Sequence, residues 1–514
     1  MTQPTGLPAP GAAPTAGRRA RILAVILAAM FMAQFDLYVV NVAITSLQRQ
    51  LHASPAALQL VVAGYGFTYA SGLISGGRLG DIFGARRTFL AGTLAFAAAS
   101  LLCGLAPSAA WLVAARLIQG LAGAVMVPQV LALITAIFPG AGRRRALAWF
   151  GVTVGVGAVA GQVLGGLLLD ADVLGLGWRT IFLVNVPVGV TTAVLAARLL
   201  PAARPAAGPR LDAAGAAAIA ASLALLLVPL VLGPGEGWPS WTAGCLGAFV
   251  PATAGTLAWE RRLAARAGRP ALDLALLRNP AFAAGLAVNV AVFAAFFSFM
   301  FGLSLLLQDG LGLSPLKAGL AFTPLGLAFS AASIASQRMV ARRGAGMVTA
   351  GAAVAAAGLI ALLADLSLSG GAISLSRLIA PMVVIGLGNG LAVPALTGAV
   401  LAGARPRDAG AAAGILTTSQ QFASAAGVAA LGTVFFAAVG TRHDTAAYAA
   451  ALGWVSGAAL VLLLVAAAAS LLLPRPPATE RPDRMRSAGG VSSWASSARA
   501  RRRTRPAATA RCRR

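Results

Sequence analysis

Long apolar segments separated by short polar ones occupy most of the chain. Each apolar run extends over about 20 residues, which is enough for a helix to cross roughly 30 Å of hydrocarbon. The alternating segments of about 10 residues that β-barrel strands require are not seen. We predict fourteen spans, at residues 22–46, 56–76, 88–106, 109–137, 146–169, 180–200, 212–232, 240–259, 281–307, 315–337, 346–365, 373–401, 409–437 and 449–473.

Composition and charge support a membrane protein. Hydrophobic residues make up 58% of the chain and charged residues 11%, whereas a soluble domain has about a quarter charged residues. The net charge of +26 would suggest nucleic acid in a soluble protein, but it lies in short loops and a tail, where it sets topology. We therefore predict no nucleic-acid partner.

Chemistry-bearing residues are sparse. The three cysteines lie far apart and the two histidines stand alone, so no metal or disulfide framework is predicted. A phosphate-binding glycine loop followed by Lys-Ser/Thr is not found, nor is a nucleophile constellation. We predict a protein that is not an enzyme, that uses no cofactor, and that takes its energy from an ion gradient.

Arginine is unevenly distributed between alternate loops, which predicts orientation. The poor set contains Arg49, Arg179, Lys317, Arg377 and Arg442. We assign the rich set to the cytoplasm. An even number of spans then places both termini in the cytoplasm, and we predict that the protein lies in the inner (plasma) membrane. The rich set contains Arg78, Arg86 and Arg87, Arg143 to Arg145, Arg198, Arg204 and Arg210, Arg261, Arg262, Arg266, Arg269 and Arg278, Arg338, Arg342 and Arg343, and Arg405 and Arg407.

The two halves of the chain resemble each other, as the halves of many transporters do. Residues 77–84 align with 337–344, and 116–128 align with 382–394 at a constant offset. Asp81 and Arg116 become Ala341 and Met382, so we expect ion coupling in the first half and a substrate cavity shaped mainly by the second. The predicted organisation is a cytoplasmic leader at 1–21, six-helix bundles at 22–200 and 281–473, two inserted helices within 201–280, and a tail at 474–514.

The tail is rich in Pro, Ser and Arg and includes Arg501 to Arg503. We expect it to be disordered. Each charge near the surface of an anionic membrane can contribute about 1 kcal/mol, so anionic lipid is one expected partner. A solvated tail without a specific partner is the alternative.

Five motifs in order resemble those of the major facilitator superfamily, in particular its fourteen-span drug:proton antiporters. Two departures are Gln162, where the family usually has proline, and Phe35-Asp36-Leu37-Tyr38, where a small hydroxyl residue often follows the aspartate. The motifs are Asp36 before Asn41-Val42-Ala43; Gly77-x-Leu79-x-Asp81-x-x-Gly84-x-Arg86-Arg87; Arg116-x-x-Gln119-Gly120-x-x-Gly123; Gly157-x-x-x-Gly161-x-x-x-Gly165-Gly166; and Gly177-Trp178-Arg179 with Phe182-x-x-Asn185-x-Pro187-x-Gly189.

The resemblance implies an all-α integral membrane fold of two six-helix bundles plus two extra central helices. It implies a monomeric exporter that exchanges protons for lipophilic small molecules such as drugs, antibiotics or secondary metabolites by alternating access. The missing proline keeps open a facilitator or importer of a polar metabolite. A membrane sensor that does not transport is a third alternative, which the intact loop at 77–87 disfavours.

Asp36 and Arg116 are the candidate proton-coupling residues. Helix rise places them roughly 15 Å and 10 Å from the outer ends of their spans, and intramembrane charges are functional candidates by default. The alternative is a fixed pair that only holds the bundle together. Gln119, Gly120 and Gly123 complete the fourth-span motif.

The loop after the second span is a candidate conformational latch. The resemblance implies that Gly77, Arg78, Asp81, Gly84, Arg86 and Arg87 hold the halves in one state, with arginines able to pair with Asp81. A basic loop that only sets topology is the alternative.

Two further sets complete the candidate residues. Gly157, Gly161 and Gly165 recur every four residues and favour close helix contact. The alternative is that they form a hinge or a seal against proton leak. Gln162 and Gly166 directly follow Gly161 and Gly165 and complete this set. In the second half a mostly apolar pocket with few polar anchors suits lipophilic cargo, although single phenylalanines could instead face lipid. The predicted cavity residues are Asn289, Phe293, Phe297, Gln420 and Gln421.

Overall fold

The computed structural model describes residues 16–138, 140–201, 212–265, 274–368, 373–402 and 409–473. The described residues are helical throughout apart from short turns, and no strand occurs among them. Most of the leader and the whole predicted tail at 474–514 lie outside the described residues.

The helices follow the apolar runs closely. Short 3₁₀ turns lie at Val173–Gly175, Gly177–Arg179 and Gly233–Glu236, and a π turn at Leu306–Gly310. The helices of the described chain are α1 (Ala16–Leu51), α2 (Pro55–Phe83), α3 (Ala85–Gly104), α4 (Ala109–Ile137), α5 (Gly140–Asp170), α6 (Thr180–Leu183), α7 (Asn185–Leu199), α8 (Ala213–Leu232), α9 (Ser240–Ala265), α10 (Leu274–Leu277), α11 (Pro280–Leu305), α12 (Pro315–Ala321), α13 (Thr323–Arg343), α14 (Gly346–Leu368), α15 (Leu375–Ala402), α16 (Ala409–Val439) and α17 (Thr445–Ser470).

Capping side chains fix several helix starts, because the first backbone N–H groups of a helix lack partners within it. The hydroxyl of Ser54 accepts from the N–H of Ala57 at 3.2 Å, ahead of the proline that opens α2. Asp444 caps α17 in the same way at 2.7 Å. Polar residues between apolar runs therefore begin helices as well as ending spans.

Every predicted span forms a helix, although the count of fourteen is not fully confirmed. Twelve helical stretches in the described chain are long and apolar enough to cross a membrane, and α2, bent by 47° near Leu73, makes a thirteenth if taken as one span. The predicted eighth span forms α9 but is not among them. Glycine, threonine and proline interrupt its apolar residues, and Glu260 and Arg261 lie near its end.

Helices pack into two groups around a shared interior. In the first, α1 packs against α5 and α7, and α4 against α2 and α3; in the second, α11 packs against α16 and α17, and α15 against α13 and α14. The inserted helix α8 contacts α9, α2 and α16. We call the groups formed by α1–α7 and α11–α17 the first and second bundles.

The bundles meet where α1 contacts α11 and α12, where α2 contacts α16, and where α5 contacts α12 and α13. Several of these contacts lie at the end of the molecule that holds Arg49, Asp170 and Asp309, which we call the arginine-poor end. The opposite, arginine-rich end holds the loop between α2 and α3 and the start of α5. The site is therefore framed by two bundles joined near one end.

Candidate functional site

A fully buried polar network lies inside the first bundle. Asp36 on α1 and Arg116 on α4 both have 0% exposure and form an ion pair. The Asp36 carboxylate also accepts from Gln119 Nε2 at 2.8 Å and from Asn185 Nδ2 at 2.9 Å, both on its Oδ1 atom. The structure thus brings the two predicted coupling residues together and surrounds the carboxylate with donors.

A second layer of contacts holds Arg116 and Gln119. The Nε atom of Arg116 donates to the carbonyl oxygen of Val61 at 3.1 Å, and its Nη1 donates to Gln119 Oε1 at 2.7 Å. Gln119 Nε2 donates to the Ser100 hydroxyl at 2.7 Å. The Tyr65 ring lies 4.3 Å from the guanidinium carbon, a cation–π distance. Buried charges are tolerable only when paired and hydrogen-bonded in this way.

Glycines of the fourth-span motif set the spacing that this network needs. A Cβ atom at Gly120 would lie 2.2 Å from Thr68 Oγ1 and 2.4 Å from the Tyr65 carbonyl oxygen, and one at Gly123 would lie 3.2 Å from the Tyr65 hydroxyl oxygen. α4 therefore crosses α2 with nearly direct backbone contact. This close crossing brings Arg116, one turn earlier, to the backbone of α2.

The fifth-span glycines lie against α1. Cβ atoms at Gly157, Gly161 and Gly165 would lie 2.8 Å from Gln34 Cβ, 2.8 Å from the Phe35 carbonyl oxygen and 2.5 Å from Val39 Cγ2, respectively. These glycines fix the position of the helix that carries Asp36.

Gly166 faces the second bundle, because a Cβ atom at this position would lie 2.5 Å from the Pro315 carbonyl oxygen. Gln162 lies on the same inter-bundle face: its carbonyl oxygen is 2.3 Å from the place of a Cβ at Gly319. Gln162 is 3% exposed, and within the described part of the chain its side-chain amide makes no hydrogen bond.

The predicted cavity residues form a polar group and an aromatic group. Asn289 Nδ2 donates to Ser419 Oγ at 2.8 Å, and Gln420 Nε2 donates to Asn289 Oδ1 at 3.2 Å. These two hydrogen bonds join α11 to α16. Gln421 lies beside α2, since its carbonyl oxygen is 3.5 Å from the place of a Cβ at Gly66.

Five rings form what we call the aromatic cluster. Phe297 stands in its middle, with ring-centroid distances of 5.6 Å to Tyr38, 6.3 Å to Phe293 and 5.7 Å to Phe296; Phe296 lies 6.5 Å from Phe329. Tyr38 belongs to the first bundle and the other four to the second. Phe297 is 8% exposed, so it faces the other bundle rather than lipid.

The predicted latch loop forms a tight turn between α2 and α3. Gly84 adopts φ +88° and ψ 133°, a conformation that essentially only glycine takes up. Arg86 Nη2 donates to the Ala197 carbonyl oxygen at 2.5 Å. Asp81 and Arg87 are exposed. Gly77 lies beside Pro128, at 3.9 Å for its Cβ position, and Arg78 is half-buried.

Polar links close the arginine-poor end. Asp309, on the π turn after α11, accepts from Thr45 Oγ1 at 2.9 Å and from Arg49 Nη2 at 3.4 Å. Asp170 accepts from Ser314 Oγ at 2.8 Å. Each link joins the first bundle to the second, so polar contacts hold the bundles together at this end.

Three residues of the polar network and of the links between the bundles are not predicted from the sequence. Tyr65 and Ser100 belong to the network but carry no charge and lie in apolar runs, so nothing in the sequence marks them. Asp309 falls two residues beyond the predicted ninth span, in the loop that follows it. Its presence so close to a predicted membrane end is the signal that could have found it.

Comparison with known proteins places this geometry in context. Residues 26–428 match the family Major Facilitator Superfamily. The chain is 37% identical over 430 residues to a probable actinorhodin transporter of Streptomyces coelicolor, covering 84% of this chain and 74% of that one. It is 35% identical to the cephamycin export protein CmcT of Amycolatopsis lactamdurans, covering 79% and 83%, and 33% identical to the tetracenomycin C resistance and export protein of Streptomyces glaucescens, covering 83% and 78%.

Solved structures share the fold. A bacterial homologue of the human lysosomal transporter Spinster, inward-facing and unoccupied, superposes with a TM-score of 0.65 at 18% identity over 89% of this chain and 97% of that one. An autoinhibited POT-family peptide transporter gives 0.64 at 16% identity over 90% and 99%.

Proposed function

This chain belongs to the Major Facilitator Superfamily and is a multi-pass membrane protein, and from that premise we propose that it exports lipophilic small molecules in exchange for protons. The two bundles would alternate access to a site between them. The energy source is a proton gradient and no cofactor takes part. We place the protein in the inner membrane as a monomer with both termini in the cytoplasm.

The observation that carries the proton-coupling proposal is the buried Asp36–Arg116 pair. A carboxylate with 0% exposure can change its charge only when its surroundings change. Because the partners of Asp36 all belong to the first bundle, its exposure would need α1 and α4 to shift against each other as the bundles rock. Loss of the Asp36 charge would then leave Arg116 without its partner, which links protonation to the packing of the bundle.

The relatives support the direction and the class of cargo. Those named above are described as a probable actinorhodin transporter, a cephamycin export protein and a tetracenomycin C resistance and export protein. This favours export over the facilitator alternative that Gln162 keeps open. The aromatic cluster, between the bundles, suits lipophilic cargo.

The closed arginine-poor end supports alternating access. With the predicted orientation, this end faces outward, and its links between the bundles are those that an inward-facing state would keep. The latch role of Asp81 and the nearby arginines stays a prediction. Binding of anionic lipid by the tail stays a prediction.

The test is transport in inside-out vesicles that are acidified inside, with a panel of lipophilic dyes and antibiotics. Dye uptake together with proton release from the lumen would support antiport. Asp36→Asn should abolish proton-driven uptake, whereas Asp172→Asn, at a loop carboxylate that caps the Gly177 N–H at 2.7 Å, should not. Undiminished uptake by folded Asp36→Asn protein would remove Asp36 from the mechanism.

A further inference from the structure

One stripe of α11 presents an amide followed by two aromatic rings to the interior. Asn289, Phe293 and Phe297 are spaced by four residues, so they lie on one helix face. Their ends are about 12 Å apart at 1.5 Å per residue. Tyr38 packs on Phe297 from the first bundle, and Gln420 and Ser419 extend the amide end through hydrogen bonds to Asn289. The stripe has the length of a molecule with three fused rings.

Acidic side chains, in the described part of the chain, lie away from this stripe. Apart from Asp36 they occupy loops, helix ends or the inserted helices α8 and α9, as Asp81, Asp309 and Glu260 illustrate. Asp365 lies three residues from the end of α14, which packs within its own bundle.

Asp36 itself is not available as a counter-ion for cargo. Its exposure is 0%, and its two oxygens accept from Arg116, Gln119 and Asn185. Arg116 is enclosed to the same degree, so it offers no site for an anion. A cation at the stripe would lose water without gaining a carboxylate, and the attraction of a ring face alone is a weaker substitute.

Unpaired polar atoms lie on α16, the helix that carries Ser419 and Gln420. The Oε1 atom of Gln421 and the hydroxyl of Thr418 are buried and accept or donate no hydrogen bond within the described residues. Both flank Ser419 and Gln420 on α16. They supply acceptor and donor groups of neutral character, suited to hydroxyl and carbonyl oxygens.

We propose that the cargo is an uncharged, flat polycyclic aromatic molecule that carries carbonyl or hydroxyl oxygens, stacked on Phe293 and Phe297 with its polar edge at Gln420, which is half-buried and is positioned by its hydrogen bond to the fully buried Asn289. This inference rests on the proposed export function and narrows its cargo. Since a neutral cargo cannot compete with a proton for Asp36 by charge, the proton and cargo sites are separate. Exchange of one proton for one such molecule then moves a net charge across the membrane and responds to membrane potential.

Two fluorescent probes of nearly equal shape test the cargo class: neutral acridone and cationic N-methylacridinium, titrated into the purified full chain. Acridone should bind at least about tenfold more tightly, because a desolvated cation lacks a partner. Phe297→Ala should weaken acridone binding about tenfold, the order expected for a stacked ring, while Val290→Ala, 36% exposed on the same helix, should leave it unchanged.

Inserting a charge gives the sharper contrast. Gln420→Glu should strengthen N-methylacridinium binding and weaken acridone binding, because it adds the counter-ion that the stripe lacks. In proteoliposomes, acridone transport should produce a current, because positive charge moves with the proton. The current should grow when a potential set by potassium and valinomycin drives protons in the direction opposite to cargo movement, and it should shrink when that potential is reversed. Equal or tighter binding of N-methylacridinium to the unaltered chain, or failure of acridone to bind, overturns the inference. Electroneutral, Asp36-dependent transport of the cation would overturn it while leaving the proposed export function intact.

Discussion

The Asp36–Arg116 pair has two readings, a structural clamp or a coupling device, and a double-mutant cycle separates them. In Asp36→Asn the new Oδ1 atom can still accept from Gln119 and Asn185, which both approach that oxygen in the native chain. The new Nδ2 atom, however, faces the Nη1 donor of Arg116. The variant therefore retains two hydrogen bonds and loses the ion pair.

Removal of one partner from a buried pair costs about 3–5 kcal/mol, whereas replacement of both by neutral groups is often nearly neutral. We expect Asp36→Asn and Arg116→Gln each to lower the free energy of unfolding by that amount. The double variant should lie within about 2 kcal/mol of the native chain, which gives a coupling energy of at least roughly 4 kcal/mol. SDS-induced unfolding in mixed micelles measures the free energy of unfolding of the native chain, of each single variant and of the double variant.

Transport by the double variant then decides between the readings. If the pair only clamps the bundle, the restored double variant should accumulate dye in response to a proton gradient. If Asp36 carries the proton, the double variant should fold but show no proton-driven accumulation. If the losses in free energy of unfolding of the two single variants simply add in the double variant, the two buried charges do not compensate each other. That result would refute the account of the pair.

Three more predictions follow from local geometry. Gly161→Ala should lower the free energy of unfolding by about 1–3 kcal/mol through overpacking, because its Cβ would lie 2.8 Å from a carbonyl oxygen of α1; Gly155→Ala, with its nearest neighbour at 3.9 Å, should be neutral or stabilise by up to about 1 kcal/mol. Asp309→Asn should speed amide hydrogen exchange at the arginine-poor ends of α1 and α11, whereas Asp172→Asn, which has its hydrogen bond within the first bundle, should not; unchanged exchange would show that the link does not hold this end shut. Gly84→Ala should cost about 1–3 kcal/mol, since φ is +88° there, and SDS unfolding without a loss would mean that the loop relaxes freely.

Hydropathy predicts the spans well because a membrane helix must be apolar along its length and must satisfy its own backbone. The eighth span shows the limit of that argument. The chain forms a helix at α9, but glycine, threonine and proline dilute its apolar character. The 47° bend of α2 near Leu73 is also invisible to hydropathy.

The site was predictable only where charge or glycine spacing marked it. An aspartate and an arginine inside apolar runs identify Asp36 and Arg116, because such residues are costly in a membrane. Tyr65 and Ser100 became visible only once α4 crossed α2 and α3. The pairing of Asp309 with Thr45 joins residues 264 positions apart, a distance that no local pattern encodes.

The energy of the pair is of the right size for a proton-driven switch. Neutralising Asp36 while Arg116 stays charged would destabilise the native packing by about 3–5 kcal/mol, because the buried guanidinium would lose its partner. A charge moved through 100 mV supplies about 2.3 kcal/mol, so one proton crossing a typical energised membrane supplies an amount of the same order. A much stronger pair could not be opened by one proton, and an exposed pair, worth about 0–1 kcal/mol, could not drive the bundles from one state to the other. Full burial of Asp36 and Arg116 is therefore what makes the pair suitable for coupling, and it is also why each single variant should be costly for the fold.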